Sequence, residues 1–147
     1  MDTLIKHSID INASKAKVWD VLTKDQYNRI WYAFFSEGTH AETDWSQGSK
    51  VIFKDDSNSG MIAEVTAAIP GELLAVKYTG ILMKGKEDYD SKDAQSVKTG
   101  YERYEILEKD GKVKFYTEAE MGPEMEEMLS EPWKNALNKI KELAESI

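Results

Sequence analysis

Apolar residues near the end of the chain recur at spacings of three and four, the period of one helical face. The pattern predicts a long helix over residues 123–147, with Pro123 in its first turn, where a missing N–H costs nothing. Its predicted apolar stripe comprises Met125, Met128, Leu129, Trp133, Ala136, Leu137, Ile140, Leu143, Ala144 and Ile147. Such a stripe needs a broad apolar surface to cover it. Pro132 lies within the stripe, so we expect a kink or an interruption of the helix near Ser130.

Upstream segments alternate between apolar and polar residues, which predicts strands that can supply this surface. Ser14 is the expected N-cap of a short helix, Lys15–Thr23, and Asp25 the expected cap of a second helical turn. The predicted strands are residues 4–11, 39–43, 49–54, 61–69, 73–83, 97–108 and 112–121. The last two form a hairpin, because Asp110 and Gly111 are a strong two-residue turn signal. Residues 84–96 are charged and without periodicity, which predicts a loop.

Short motifs, together with the order of these elements, resemble the START-like (SRPBCC) superfamily. Residues 9–23, which include Val18-Trp19, resemble its opening motif. Residues 60–73 and the terminal segment from Trp133 to Leu143 resemble the branch named after the activator of the heat-shock-protein-90 ATPase. The resemblance implies one domain over residues 1–147 with the α+β helix-grip fold. There, a curved antiparallel sheet of about seven strands wraps around the long C-terminal helix, and two short helices follow the first strand.

Composition removes several classes of function. The 147 residues carry a formal net charge of −8 and show no basic patch of the kind that nucleic acid or an anionic membrane requires. Zero cysteines exclude disulfides, thiolate metal sites and a cysteine nucleophile. No apolar run reaches the roughly 18 residues of a membrane span, and the N-terminus lacks a signal-peptide pattern. We expect a cytoplasmic protein with no metal, no cofactor and no membrane insertion, and the sequence leaves a homodimer open.

Glu102 is the strongest candidate for chemistry. The resemblance implies that Tyr104 and Ile106 point into the domain, and the strand period of two then turns Glu102 inward as well. A buried carboxylate raises its pKa or finds a partner, which suits general acid–base chemistry or the orientation of a ligand. A bulge that placed Tyr101 inside and Glu102 in solvent is the alternative. The two histidines, His7 and His40, show no serine or carboxylate pattern, which favours surface positions over catalysis.

Four aromatic residues stand within five positions, at 31, 32, 34 and 35. In the implied fold they lie at the mouth of a cavity, where they either cap the core or form a wall for an apolar ligand. The candidate ligand-binding residues are Trp31, Tyr32, Phe34, Phe35, Phe53, Tyr78, Glu102, Tyr104, Met125, Leu129 and Trp133.

Three functions fit these observations. The favoured one is a cytosolic binding protein that encloses a small hydrophobic or aromatic molecule, such as a lipid, between the sheet and the C-terminal helix. An enzyme of the cyclase, aromatase or hydrolase kind would use Glu102 in the same cavity. A co-chaperone-like interaction module would instead have a filled core and an exposed apolar patch on the sheet or on residues 84–96. Whether any reaction is catalysed stays open.

Overall fold

The computed structural model describes the backbone of residues 3–121 and 123–147 and the side chains of residues 4–120 and 128–147. The strands are β1 (Thr3–Ile11), β2 (His40–Glu42), β3 (Lys50–Lys54), β4 (Gly60–Ile69), β5 (Leu73–Met83), β6 (Lys86–Asp88), β7 (Tyr101–Lys109) and β8 (Lys112–Met121). The helices are α1 (Lys15–Thr23), α2 (Asp25–Tyr32), α3 (Lys92–Val97) and α4 (Pro123–Ser146).

The strands form one antiparallel sheet in the order β1-β8-β7-β5-β4-β3-β2, and β6 pairs with β5 beside this path. The sheet is open and curved, and α4 packs against β1, α1 and α2. This is the predicted helix-grip fold, with eight described strands where about seven were expected. The β7–β8 hairpin is confirmed, and its turn residues Asp110 and Gly111 both have positive φ, as a two-residue hairpin turn requires.

The apolar stripe of α4 is the centre of the core. Trp133, Ala136, Leu137, Ile140 and Ala144 are buried, and Leu129 and Leu143 pack partly against them. Met128 and Ile147 were wrongly assigned to the stripe, since they are 66% and 43% exposed.

Polar contacts hold the C-terminal end of α4 beside the end of β1. Lys141 donates to the Asp10 carbonyl at 2.8 Å, and the Asn12 amide donates to Glu145 at 2.8 Å. These bonds fix the position of α4 along the sheet.

Of the kink or interruption expected at Pro132, the interruption is wrong, because α4 runs unbroken from Pro123 to Ser146 with Pro132 inside it. Proline removes one helical hydrogen bond, but the packing of the neighbouring Trp133 in the core stabilises this part of the helix. Neither α4 nor any other helix in the described part of the chain is long and apolar enough to cross a membrane.

The N-cap of α1 is confirmed and that of α2 is not. The Ser14 hydroxyl accepts from the Lys17 amide at 3.2 Å. Asp25 is the first residue of α2 and follows Lys24, which makes no side-chain cap. The Asp25 carboxylate instead accepts from Arg29, one turn later, at 2.6 Å. Its charge near the helix N-terminus still complements the helix dipole.

Residues 84–96 form β6 and α3 and were wrongly predicted as a loop. Lys84 and Gly85 have φ of 49° and 83°, so they turn the chain back and pair β6 with β5. The Ser91 hydroxyl caps α3 by accepting from the Ala94 amide at 3.1 Å, and Ala94 is the one buried residue of α3. Val97 belongs to α3, so β7 begins at Tyr101. With one buried alanine among charged and polar residues, these short elements have no hydrophobic periodicity from which they could be predicted.

We expect Trp133→Ala to lower the free energy of unfolding by about 3–5 kcal/mol, because truncating a large buried aromatic leaves a cavity. Trp133 is 2% exposed and its ring lies 5.0 Å from Phe35 and 6.2 Å from Tyr104, between ring centroids. Urea titration measures the loss. Met128→Ala on the exposed face of α4 is the control and should change the value by less than about 0.5 kcal/mol. A loss below about 1 kcal/mol for Trp133→Ala would show that α4 does not organise the core.

Candidate functional site

Glu102 lies on β7, with β5 on one side and β8 on the other. In register it stands opposite Val76 on β5 and Ala119 on β8, which are both buried. The pairing of β7 with both neighbours shows no register shift, so the alternative with a bulge at Tyr101 is wrong. Glu102 therefore lies partly buried on the same face of β7 as the buried residues Tyr104 and Ile106, as the strand period predicts.

Two tyrosine hydroxyls hold the Glu102 carboxylate. Tyr78 donates to one oxygen at 2.5 Å, and Tyr104 donates to the other at 2.7 Å. Both tyrosines are nearly buried, with exposures of 7% and 6%. A carboxylate offers about four acceptor positions, so the two phenols leave acceptor capacity on both oxygens.

A glycine lets Tyr78 come this close to β7. The Tyr78 amide donates to the Gly100 carbonyl at 3.1 Å, where β5 meets the start of β7. A Cβ at Gly100 would lie 2.9 Å from Cδ2 of the Tyr78 ring and 3.1 Å from the Glu120 carbonyl oxygen. Any larger residue would push the ring that reaches Glu102.

Burial raises the pKa of the Glu102 carboxyl above its ordinary value of 4.5, and the hydrogen bonds from Tyr78 and Tyr104 oppose this in part. The groups that shift this pKa include no cation. Burial, and then the charge of Glu102, hold the phenol pKa of Tyr78, Tyr104 and Tyr32 well above its ordinary value of 10. The phenols therefore stay protonated and act as donors, while Glu102 is the group able to exchange a proton.

A small cavity adjoins Glu102. It has a volume of about 10 Å³, which is room for one water molecule. Its lining residues are Leu22, Trp31, Tyr32, Trp45, Phe53, Leu74, Val76, Glu102 and Tyr104. Glu102 is the one charged residue among them, and aromatic rings make most of the remaining wall.

Helix α2 supplies the first two rings of this wall. The Trp31 indole donates to the Val21 carbonyl at 3.0 Å, which fixes its orientation. Tyr32 crosses Trp31 edge-on with ring centroids 4.4 Å apart and contacts Phe53 of β3 in the same way at 5.9 Å. These contacts make α2 a rigid side of the cavity.

The remaining predicted site residues divide into separate groups. Phe35 packs in the core against α4, which itself carries Leu129 and Trp133, and none of the three lines the described cavity. Phe34 was wrongly placed at the cavity, since it is 40% exposed. The side chain of Met125 lies outside the described residues.

Trp45 is a lining residue that the sequence reasoning missed. It lies in the connection between β2 and β3 with a φ of 60°, an unusual conformation for a residue with a side chain. Its indole donates to the Thr23 carbonyl at 2.9 Å, and its ring centroid lies 6.3 Å from that of Phe53. The presence of a tryptophan in a turn-rich segment was the one indication in the sequence that this position is functional. No periodicity there indicates which way the Trp45 side chain points.

The histidines are not placed for triad chemistry. His40 Nδ1 lies 3.3 Å from the Gly38 carbonyl oxygen. His7 is not on the surface as expected, since it is partly buried and stacks on Trp133 with ring centroids 6.2 Å apart. Its Nε2 and the Trp133 Nε1 have no hydrogen-bond partner among the described residues. Burial, and next the charge of Lys134, lower the His7 pKa, which favours the neutral ring. The described residues also contain no group of three side chains suited to hold a metal ion.

An open, curved antiparallel sheet closed by a C-terminal helix, with a polar cluster on its inner face, defines a helix-grip protein of the START-like class. The family model for "Activator of Hsp90 ATPase homolog 1-like protein" matches residues 12–145. The chain therefore belongs to this family, as the resemblance of its motifs implied. A search of curated proteins gives no match.

Solved structures share the fold at low identity. The Aha1 dimer from Colwellia psychrerythraea is 18% identical with a TM-score of 0.71, over 97% of this chain and 96% of that one. Protein MLL2253 from Mesorhizobium loti is 14% identical with a TM-score of 0.70, over 96% of each chain. CalU16 from Micromonospora echinospora is 12% identical with a TM-score of 0.68, over 97% of this chain and 76% of that one. At these identities the likeness establishes the fold alone.

We expect Glu102→Gln to gain stability relative to the wild type as the pH rises above 4.5 and through the raised folded-state pKa of Glu102. Folding raises the Glu102 pKa, so the carboxyl's contribution to stability is complete below its unfolded pKa and is lost as the pH rises through its folded pKa. The amide cannot ionise and escapes this loss. Urea titrations of both proteins at several pH values measure the difference.

Glu64→Gln, which replaces an exposed carboxylate on β4, is the control for this experiment. Its difference from the wild type should vary less with pH. If the Glu102→Gln difference were equally flat, the Glu102 carboxyl would not be desolvated in the folded protein.

Proposed function

We propose that this protein binds a small hydrophobic or aromatic molecule in the cavity between its sheet and the helices α1 and α2. No described residue of α4 lines this cavity, so the site differs from the expected position against the C-terminal helix. The Glu102 carboxylate and its two tyrosines orient one end of that molecule. The observation that carries the proposal is this carboxylate, held by Tyr78 and Tyr104 beside an aromatic-walled cavity. Ligand pockets typically combine apolar walls with a few fixed polar groups.

The free-energy cost of placing a carboxylate at position 102 supports a functional role for Glu102. A carboxylate surrounded by Val76, Ala119 and aromatic rings is costly, and two phenol hydrogen bonds recover only part of the lost hydration. An apolar residue at this position would fill the core at lower cost. Perturbed carboxyls of this kind concentrate at functional sites.

The size of the cavity defines how a ligand binds. Room for one water molecule accommodates only the anchored end, so the rest of the ligand must displace part of the wall. Trp45 and Phe53 are the partly exposed aromatic residues of the lining, whereas Trp31, Tyr32 and Tyr104 are buried. Movement of Trp45, which belongs to a connection and not to a helix or strand, opens the cavity at the lowest structural cost.

The four tryptophan indoles provide a direct test in ¹H–¹⁵N spectra. Titration with 2-phenylethanol, indole or 1-octanol should shift the resonances of Trp31 and Trp45, which line the cavity. Trp19 on α1 is the internal control, because it does not belong to the lining. Saturable shifts at Trp31 and Trp45 without a matching shift at Trp19 support the proposal. Shifts of equal size at all three, or no saturation, would contradict it.

Native mass spectrometry of protein purified gently from its own host supplies the identity of the ligand. We expect an added mass that disappears on unfolding and whose retention falls in Tyr78→Phe and Tyr104→Phe, which each remove one hydroxyl from the anchor. Glu64→Gln should retain the added mass, since it changes an exposed carboxylate outside the lining. Equal retention in all variants would mean that the mass is bound elsewhere.

An enzyme that uses Glu102 for acid–base catalysis is the second candidate. Two phenol hydrogen bonds to one carboxyl of raised pKa favour it, because such a group is suited to exchange a proton with a bound substrate. The co-purified ligand distinguishes the two functions. An enzyme would convert this ligand on incubation, and Glu102→Gln would stop the conversion while the ligand stayed bound.

The co-chaperone alternative finds less support in the described surface. Residues 84–96, one of the two places where an exposed apolar patch was expected, carry polar and charged side chains apart from Tyr89 and the buried Ala94. The family description and the exposed apolar residues of the sheet, such as Leu107 and Tyr116, remain in favour of this alternative.

A homodimer and a cytoplasmic location belong to the same proposal. The Aha1 protein from Colwellia psychrerythraea is described as a dimer, and this likeness of fold supports association of two copies. The absence of cysteine fits a reducing compartment. Sedimentation equilibrium should give twice the mass of 16.7 kDa, and a value equal to one chain would exclude the dimer.

A further inference from the structure

The Glu102 carboxylate lacks a cation in the described part of the chain. The groups that shift its pKa are apolar surroundings and two phenols. The nearest basic residue in sequence, Arg103, belongs to the opposite face of β7 and pairs with Glu105 at 2.5 Å. A partly buried carboxylate without a counter-charge is an incomplete ion pair, and a cationic ligand group would complete it.

The wall around this carboxylate also suits a positive charge. Trp31, Tyr32, Trp45 and Phe53 line the same cavity as Glu102 and contact one another in edge-on or tilted pairs. The face of an aromatic ring attracts a cation, tryptophan most strongly. A carboxylate combined with several rings is therefore a receptor for an organic cation, whereas an anionic group would meet repulsion from Glu102.

The hydrogen-bonding capacity of Glu102 selects among organic cations. A primary ammonium head carries three N–H donors, whereas a trimethylated head carries none. The three N–H donors of an ammonium group can use the acceptor capacity that Tyr78 and Tyr104 leave on Glu102. The net charge of −8 would further draw a cation toward the protein.

We infer that the ligand anchored at Glu102 is a primary amine with an apolar or aromatic tail, its ammonium head enclosed by Glu102 and the surrounding rings. This inference rests on the proposed binding function and names its ligand class. The tail leaves the cavity past Trp45 and Phe53.

Matched probes test the inference. The dissociation constants of 2-phenylethylamine and 2-phenylethanol, which differ only in the head group, are measured by the indole shifts of Trp31 and Trp45 in about 0.15 M salt. We expect the amine to bind the wild type at least about tenfold more tightly than the alcohol. In Glu102→Gln this preference should fall below about twofold, and Glu64→Gln should keep it. Dispersed indole resonances verify that each variant is folded.

A second variant keeps the test decisive if Glu102→Gln does not fold. Trp45→Leu removes one ring of the wall and should lower the ratio of the two constants, while the carboxylate remains. Equal affinities for amine and alcohol in the wild type would overturn the inference and leave the proposed function standing. A preference for the amine that persists in Glu102→Gln would also overturn it, since the acidic surface alone would then explain it. No saturable shift with either probe would overturn both.

Discussion

Burial of the α4 stripe on the concave face of the sheet is the interaction on which the rest of the structure depends. Trp133, Leu137 and Ile140 are buried there, and each large apolar side chain removed from water contributes about 1.5–3 kcal/mol. Exposed ion pairs on the same helix, such as Lys141 with Glu145, contribute far less. Because α4 closes this face together with α1 and α2, the inward residues of β5, β7 and β8 lose most of their water, and the properties of Glu102 follow from that loss.

The polar cluster is a local exception to this packing, and its energetics differ from those of the core around it. A carboxyl between Val76 and Ala119 opposes folding when it is ionised, whereas its neighbours favour folding at every pH. Tyr78 and Tyr104 reduce this opposition without removing it, since phenols donate hydrogen bonds but carry no positive charge. The protein thus keeps a reactive group inside an otherwise ordinary hydrophobic core.

Sequence patterns could predict the elements with strong periodicity and the direction of Glu102, because a strand period of two is a local property. The partners of Glu102 could not be predicted in this way. Tyr78 lies 24 residues earlier and meets Glu102 only through the register of β5 with β7, which depends on tertiary packing. Trp45 was missed for a related reason, since a residue in a connection has no period that assigns it to a face. The short β6 and α3 are held by pairing to β5 and by Ala94, not by a pattern of their own.

The polar cluster of Glu102, Tyr78 and Tyr104 also depends on Gly100, a residue without a side chain. The position contributes no side-chain atom to the site, yet a β-carbon there would lie only 2.9 Å from the Tyr78 ring. An alanine scan restricted to residues that touch a ligand would not include Gly100 and would therefore not detect its contribution. Variation that exchanges Gly100 for any other amino acid would disturb the cluster as surely as the loss of a hydroxyl. The sequence requirements of the site therefore include a glycine that contributes only by the absence of a side chain.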